Sequence, residues 1–114
     1  IIELKECKGK LENEVKLKEL EVLTPIFKKH QQVFLCTERG KSFSTTQFND
    51  FIVKKQELAF VISGAFGPHQ KTIELSNGEI SLSKMTFTHE MALFLLIEQC
   101  YRVECIRNNI RYTK

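Results

Sequence analysis

The sequence predicts an α/β fold, a parallel sheet with helices on both faces, and three observations carry that reading. The runs Val33-Phe34-Leu35-Cys36 and Leu58-Ala59-Phe60-Val61-Ile62 are apolar without alternation, as strands covered on both sides are. Segments of helical period separate these runs and are long enough for the crossovers that parallel strands need. The resulting order, strand then helix repeated four times, is the pattern of α/β domains. At 114 residues the whole chain, 1–114, is expected to be a single domain, without linker, internal repeat or low-complexity segment. Ile1 is not a start methionine, so a longer parent chain is expected.

Each element has a local reason. Ile1 to Cys7 reads as a strand, edge-like because Glu3 and Lys5 interrupt it. Lys10 to His30 reads as a charged helix with a narrow apolar stripe of Leu11, Val15, Leu17 and Leu20, and Pro25 is expected to break or restart it. Gln32 to Thr37 reads as a buried strand and Glu38-Arg39-Gly40-Lys41 as a turn. Ser44-Thr45-Thr46-Gln47 is a capping box, with Phe43 and Phe48 at the positions of a hydrophobic staple and Phe48, Phe51 and Ile52 as the apolar stripe of the helix it opens. After the strand Leu58–Ile62 comes the loop Ser63-Gly64-Ala65-Phe66-Gly67, and Pro68 is expected at the first position of the next helix, which ends by Asn77-Gly78. Ile80 and Leu82 mark the last strand, and Thr88 to Arg107 the last helix.

That last helix is apolar all round from Met91 to Ile97, seven residues in succession. Such a helix is buried on more than one side. Either a second subunit packs on it, or it is threaded deep into its own domain.

Charge is placed unevenly. The net charge is +3, and all of the excess lies in residues 102–114, where Arg102, Arg107, Arg111 and Lys114 face only Glu104. A basic end suits a phosphate-contacting surface, and equally a solvated helix C-terminus. Cys7, Cys36, Cys100 and Cys105 lack metal-ligand or disulfide spacing and read as reduced thiols. No apolar run reaches the roughly 20 residues of a membrane span. His89-Glu90 has no second histidine at i+4, and His30 and His69 have no ligand-like spacing, so no metal is expected. G-x-S-x-G, G-x-G-x-x-G and Walker patterns are absent.

In an open parallel sheet, ligands bind beyond the carboxyl ends of the strands. Three loops qualify here: the one after Cys36, Ser63 to Gly67, and Leu82 to Phe87. Gly64 and Gly67 would let backbone approach a ligand, or simply make a tight turn.

The stretch Ile80-Ser81-Leu82-Ser83-Lys84-Met85-Thr86-Phe87-Thr88-His89-Glu90, followed by Leu96-Ile97-Glu98-Gln99-Cys100-Tyr101-Arg102 and the ending Arg111-Tyr112-Thr113-Lys114, resembles the C-terminal signature of SPOUT-superfamily methyltransferases of the RlmH type. Those enzymes methylate N3 of a pseudouridine in large-subunit ribosomal RNA. The resemblance covers most of the chain and is specific in 60–102; the family's first βα unit has no counterpart ahead of Ile1. It implies a C-terminal trefoil knot that holds S-adenosylmethionine, with Cys36, Ser63, Gly64, Leu82, Ser83, Lys84, Met85, Thr86 and Phe87 at the cofactor positions. It also implies a cytoplasmic homodimer (or one in an organelle matrix), each active site taking its cofactor pocket from one subunit and its C-terminal residues from the other. Catalytic roles fall to His89, Arg102 and Tyr112, and RNA contacts to Arg107, Arg111 and Lys114.

A histidine in the first turn of a helix resists protonation, which suits a neutral base or donor; a helix-start residue bonded to nearby backbone is the alternative. Tyr101-Arg102 also reads as an interface or packing pair, and Tyr112 as a frayed end or a ring that stacks on a base. Several residues depart from the family pattern. Cys36 stands for leucine, Ser63 for glycine, Thr88 for proline, Glu90 for glutamine and Thr113 for histidine, and Asn108-Asn109-Ile110-Arg111 replaces the usual Gly-Glu. These departures leave a second expectation open, a SPOUT-like dimer that binds RNA or cofactor without transferring methyl. A third is a flavodoxin-like α/β domain with a protein partner.

Overall fold

Alternation along one central strand sorts the apolar residues into two layers. The computed structural model describes residues 11–29, 32–64 and 66–112. Within them the order is α1 (Glu12–Lys29), β1 (Gln32–Ser42), α2 (Thr45–Val53), β2 (Leu58–Ile62), α3 (Gln70–Leu75), β3 (Gly78–Ser81) and α4 (His89–Arg107). The three strands are parallel, in the order β2-β1-β3. The expected strand Ile1–Cys7 lies outside the described residues.

Successive side chains of a strand point to opposite faces. Phe34 and Ile80 on one face therefore meet Phe48 of α2 and Leu96 and Val103 of α4. Val33, Leu35 and Val61 on the other meet Leu23 of α1, with Ile26, Phe27 and Ile73 packed around them. Helices thus cover both faces, as expected. Val33 and Leu35 are almost wholly buried, and replacing such a residue by alanine costs about 2–5 kcal/mol. Phe34 and Phe51 add an edge-to-face ring pair at 4.9 Å between centroids.

The capping box of α2 forms as read: the Gln47 N–H donates to the Ser44 hydroxyl (3.1 Å) and the Ser44 N–H to the Gln47 side-chain oxygen (2.9 Å). The rings of Phe43 and Phe48 lie 6.2 Å apart as the staple.

Three expectations are corrected. Pro25 does not break α1, which runs unbroken from Glu12 to Lys29. Pro25 and Glu21, whose carbonyl loses its usual donor, are both exposed, so water can satisfy that oxygen while Leu23, Ile26 and Phe27 hold the helix to the sheet. Pro68 is not the first helical residue: His69 caps α3, its Nδ1 accepting from the Lys71 N–H at 3.0 Å. The segment 38–41 is not a turn but part of β1.

The course of β1 is unusual. Cys36 pairs with Ile80, the register breaks, and Lys41 pairs with Ile80 again. A Cβ at Gly40 would lie 2.5 Å from both the backbone nitrogen and the carbonyl carbon of Ile80. Only glycine lets the two backbones come that close. No knot is visible among the described residues; at the place where the resemblance puts one, the structure has this double contact of β1 with Ile80.

Candidate functional site

The carboxyl ends of β2 and β3 and the middle of β1 open on one cavity of about 230 Å³. Its wall takes Cys36, Thr37, Glu38 and Arg39 from β1, Ser63, Gly64, Phe66 and Gly67 from the loop after β2, and Leu82, Ser83, Met85, Thr86 and Phe87 from the loop after β3. Two of the loops singled out in the sequence therefore converge on the stretch after Cys36, which is strand rather than loop, and His89 and Ala92 of α4 close the ring with Lys16 of α1. Of the residues expected at the cofactor, Lys84 alone does not line the cavity and is exposed.

Local hydrogen bonds shape the third loop. The buried Ser81 hydroxyl donates to the Ser83 carbonyl at 2.7 Å, and the Ser83 hydroxyl accepts from the Met85 N–H at 3.0 Å. Thr88 then caps α4, accepting from the Met91 N–H at 3.3 Å, so the hydroxyl that stands for proline has a structural use. His89 sits at the cavity rim with its Nε2 3.3 Å from Glu90. Met85, Phe66 and Phe87 leave large apolar surfaces exposed around the opening.

Cys36 is an apolar wall rather than a nucleophile. Burial pushes its thiol up to about 12, and Cys100 beside it adds to the shift. A thiol so held is not ionised at neutral pH.

A carboxyl from outside the predicted set lies behind the wall and holds one of its residues without lining the cavity itself. Glu19 of α1 accepts from the Gly64 N–H at 3.0 Å through Oε2. A Cβ at Gly64 would lie 2.7 Å from that oxygen. The other oxygen, Oε1, is buried without a hydrogen-bond partner among the described residues, and so is the hydroxyl of Thr37. Buried polar atoms without partners are costly, and of these two residues only Thr37 lines the cavity. Nothing in the sequence marks Glu19, one of several charges along a helix whose apolar stripe is narrow.

Arg102 and Tyr112 are elsewhere. They meet Glu98 near the far end of α4, thirteen residues and about 20 Å along the helix axis from His89. The Arg102 Nε donates to Glu98 Oε1 at 2.5 Å, and the Tyr112 hydroxyl donates to Glu98 Oε2 at 3.2 Å. The guanidinium lies over the Tyr112 ring at 4.9 Å, and Tyr101 packs edge-on to the same ring. The chain reverses to reach this position because α4 ends in a Schellman turn: Asn109 takes a left-handed conformation (φ 57°), and the Ile110 N–H donates to the Cys105 carbonyl at 2.8 Å. Asn-Asn after a last-turn arginine is a stop signal that the sequence did contain. Arg107, paired with Glu104 at 3.3 Å, and Arg111 are exposed at this end; Thr113 and Lys114 lie outside the described residues.

Between the two ends, α4 presents a second apolar face. Leu96, Cys100 and Val103 point into the core, while Met91, Phe94, Ile97 and Tyr101 on the opposite side are exposed, Phe94 by 65%. The threaded, fully buried helix that the sequence also allowed is not what is found. No helix among the described residues is long and apolar enough to cross a membrane, and they contain no cluster of metal-ligating side chains.

Comparison with known proteins agrees with this architecture. A family described as "Predicted SPOUT methyltransferase" matches residues 1–113. The chain is 35% identical to the ribosomal RNA large subunit methyltransferase H of Parabacteroides distasonis, over 98% of its own length and 74% of the relative's. It is 38% identical to the protein of the same name in Mycoplasmopsis synoviae, covering 100% of the chain and 77% of the relative. The corresponding protein of Thermodesulfovibrio yellowstonii is also 38% identical, over 98% of the chain and 75% of the relative. With the family matched almost end to end and the loops after β2 and β3 gathered with β1 on one cavity, the chain belongs to the SPOUT methyltransferases.

Proposed function

We propose that this chain transfers a methyl group from S-adenosylmethionine to N3 of a pseudouridine in large-subunit ribosomal RNA, acting in the cytoplasm as a homodimer. The observation that carries the reading is the cavity itself. Its backbone-rich loops, its mixed wall and the Thr37 hydroxyl, which has no partner among the described residues, fit a ligand with both an apolar face and hydrogen-bonding groups. Relatives named as ribosomal RNA methyltransferases support the acceptor. The binding-only alternative draws no support from those names.

When bound, the cofactor supplies an electrophilic methyl on a sulfonium; the residues of the chain supply everything else. An imide nitrogen must lose its proton to become a good nucleophile. His89, exposed at the rim of the cavity, would accept that proton. Arg102 carries a permanent charge that would hold the resulting anion, and the Tyr112 ring offers a face for stacking. These groups are too far from His89 within one chain to serve the same nucleotide. Two copies related by a two-fold axis through the middle of the stripe Met91, Phe94, Ile97 and Tyr101 bring one copy's His89 end toward the other's Arg102 end, and cover the apolar face at the same time. Arg107, Arg111 and Lys114 then flank the composite site with positive charge for phosphate contact.

The test is transfer of labelled methyl to isolated large ribosomal subunits lacking the modification, for the native chain and for His89→Ala. The native chain is expected to label one pseudouridine and His89→Ala to label none. No labelling of subunits by a chain that binds S-adenosylmethionine would overturn the assigned acceptor.

A further inference from the structure

We infer that the groove between the end of β1 and the end of α2 is a second contact surface for the ribosomal RNA acceptor, in which Lys41, Lys54 and Lys55 take backbone phosphates of the strand that carries the target nucleotide. The inference rests on the acceptor reading above. The groove is open, about 430 Å³, and its lining includes these three lysines with Phe43, Phe51 and one acid, Asp50. Outside residues 102–114 the charges of the chain cancel, so this local surplus of cations is a matter of placement. None of the three lysines, nor Asp50, enters an ion pair among the described residues. The carbonyls at the end of α2 contribute about half a negative charge, too little to cancel the surplus.

Aromatic faces hold two of the ammonium groups in place. Lys55 Nζ lies 4.4 Å from the centre of the Phe51 ring and 5.7 Å from that of Phe34, and Lys41 Nζ lies 5.3 Å from that of Phe43. A ring attracts a cation without neutralising it, so the charge stays available to an anion. The rings are themselves fixed: Phe51 packs on Phe34 of the core at 4.9 Å and on Phe43 at 5.0 Å between centroids. Lys41 is also held through its backbone, in register with Ile80. Groups positioned beforehand lose less freedom on binding. A polyanion suits such a cluster, since each lysine that meets a phosphate also releases counterions.

Location selects the occupant. Arg39, on the wall of the cofactor cavity, and Lys41, in the groove, are two residues apart on β1, at most about 7 Å along the strand. An RNA strand with its target base at the cavity therefore continues into the groove. No residue of the groove belongs to α4, whose exposed stripe the second copy would cover.

The test uses the triple variant Lys41→Gln, Lys54→Gln, Lys55→Gln beside a control of equal net charge, Lys28→Gln, Lys29→Gln, Lys71→Gln, on the helices of the opposite layer. Methyl transfer to isolated large ribosomal subunits is measured together with binding of a fluorescein-labelled ten-nucleotide oligouridylate across a salt series. In the groove variant KM for subunits is expected to rise roughly ten-fold with kcat held, and the slope of log affinity against log salt to fall by about 0.7 for each lysine. The control is expected to match the native chain. A native KM and salt slope in the groove variant, or an equal change in the control, overturns the inference. A raised KM with native oligouridylate binding assigns the groove to a ribosomal protein and overturns it too. Should the triple variant not fold, Lys41→Gln with Lys54→Gln, both exposed, carries the same test with a smaller expected change. A native chain that labels no subunits overturns the acceptor reading, while the oligouridylate series still decides whether the groove holds phosphates.

Discussion

The Tyr112 hydroxyl donates to the Glu98 carboxylate at 3.2 Å across fourteen residues, and the other oxygen of that carboxylate holds Arg102. One acid therefore positions both C-terminal candidates for chemistry. Glu98→Ala is expected to release Arg102 and Tyr112 together and to slow methyl transfer by up to about 10²-fold, the cost of misplacing reacting groups by an ångström. Affinity for S-adenosylmethionine is expected to be unchanged, because Glu98 does not line the cavity. Transfer kinetics alongside calorimetry check the split; equal losses in both would show that Glu98 supports the whole fold.

The same contact sets a pH response. Glu98 is held below the ordinary carboxylate value, first by the hydrogen bond from Arg102, with burial opposing it, and then by the charge of Arg102 and the Tyr112 hydroxyl. A carboxyl whose pKa is lowered by folding favours the docked tail above its ordinary value, and that contribution is lost as pH falls through the lowered one. The aromatic resonances of Tyr101 and Tyr112 are expected to stay put from pH 7 to about 5 and to shift only below about 4. A transition between pH 6 and 7 would mean that a different group anchors the tail.

Gly40→Ala is expected to destabilise the chain by roughly 1–3 kcal/mol or more, since its Cβ would meet backbone rather than a side chain that could turn away. Denaturant unfolding measures this. Gly67→Ala, where no described atom beyond the adjoining residues lies within 4 Å of the new Cβ, is the contrast: its cost comes from the left-handed conformation (φ 79°) and is set at about 1 kcal/mol.

What the sequence revealed and what it hid divide by range. The capping box at Ser44 and Gln47 was legible because both halves of the contact lie within four residues. The loops after β2 and β3 were legible because parallel topology alone puts them on one side of the sheet, whereas the loop expected after Cys36 is strand. The second meeting of β1 with Ile80 was not, since Glu38-Arg39-Gly40-Lys41 has the composition of a turn and its partner is forty residues on. Glu19 and Glu98 were missed for the same reason: each looks like a solvated helix charge until a backbone N–H or a returning tail is placed against it. Pro25 misled because its cost in isolation is large, and burial of the flanking apolar residues offsets it.

The separation of His89 from Arg102 along α4 makes the composite site testable by mixing. His89→Ala and Arg102→Ala homodimers each lack one component in both sites, so each alone is expected to be inactive. When the two are mixed and allowed to exchange, half of the dimers are mixed, and each mixed dimer has one intact site and one lacking both groups. Activity is then expected to return to about a quarter of native. A site built within one chain would give no recovery, because neither subunit carries both residues. Phe94→Glu closes the argument from the other side. A charge in the middle of the exposed stripe is expected to yield monomers by light scattering, with S-adenosylmethionine still bound and transfer abolished. Full transfer by a monomeric Phe94→Glu chain would remove the need for a second copy.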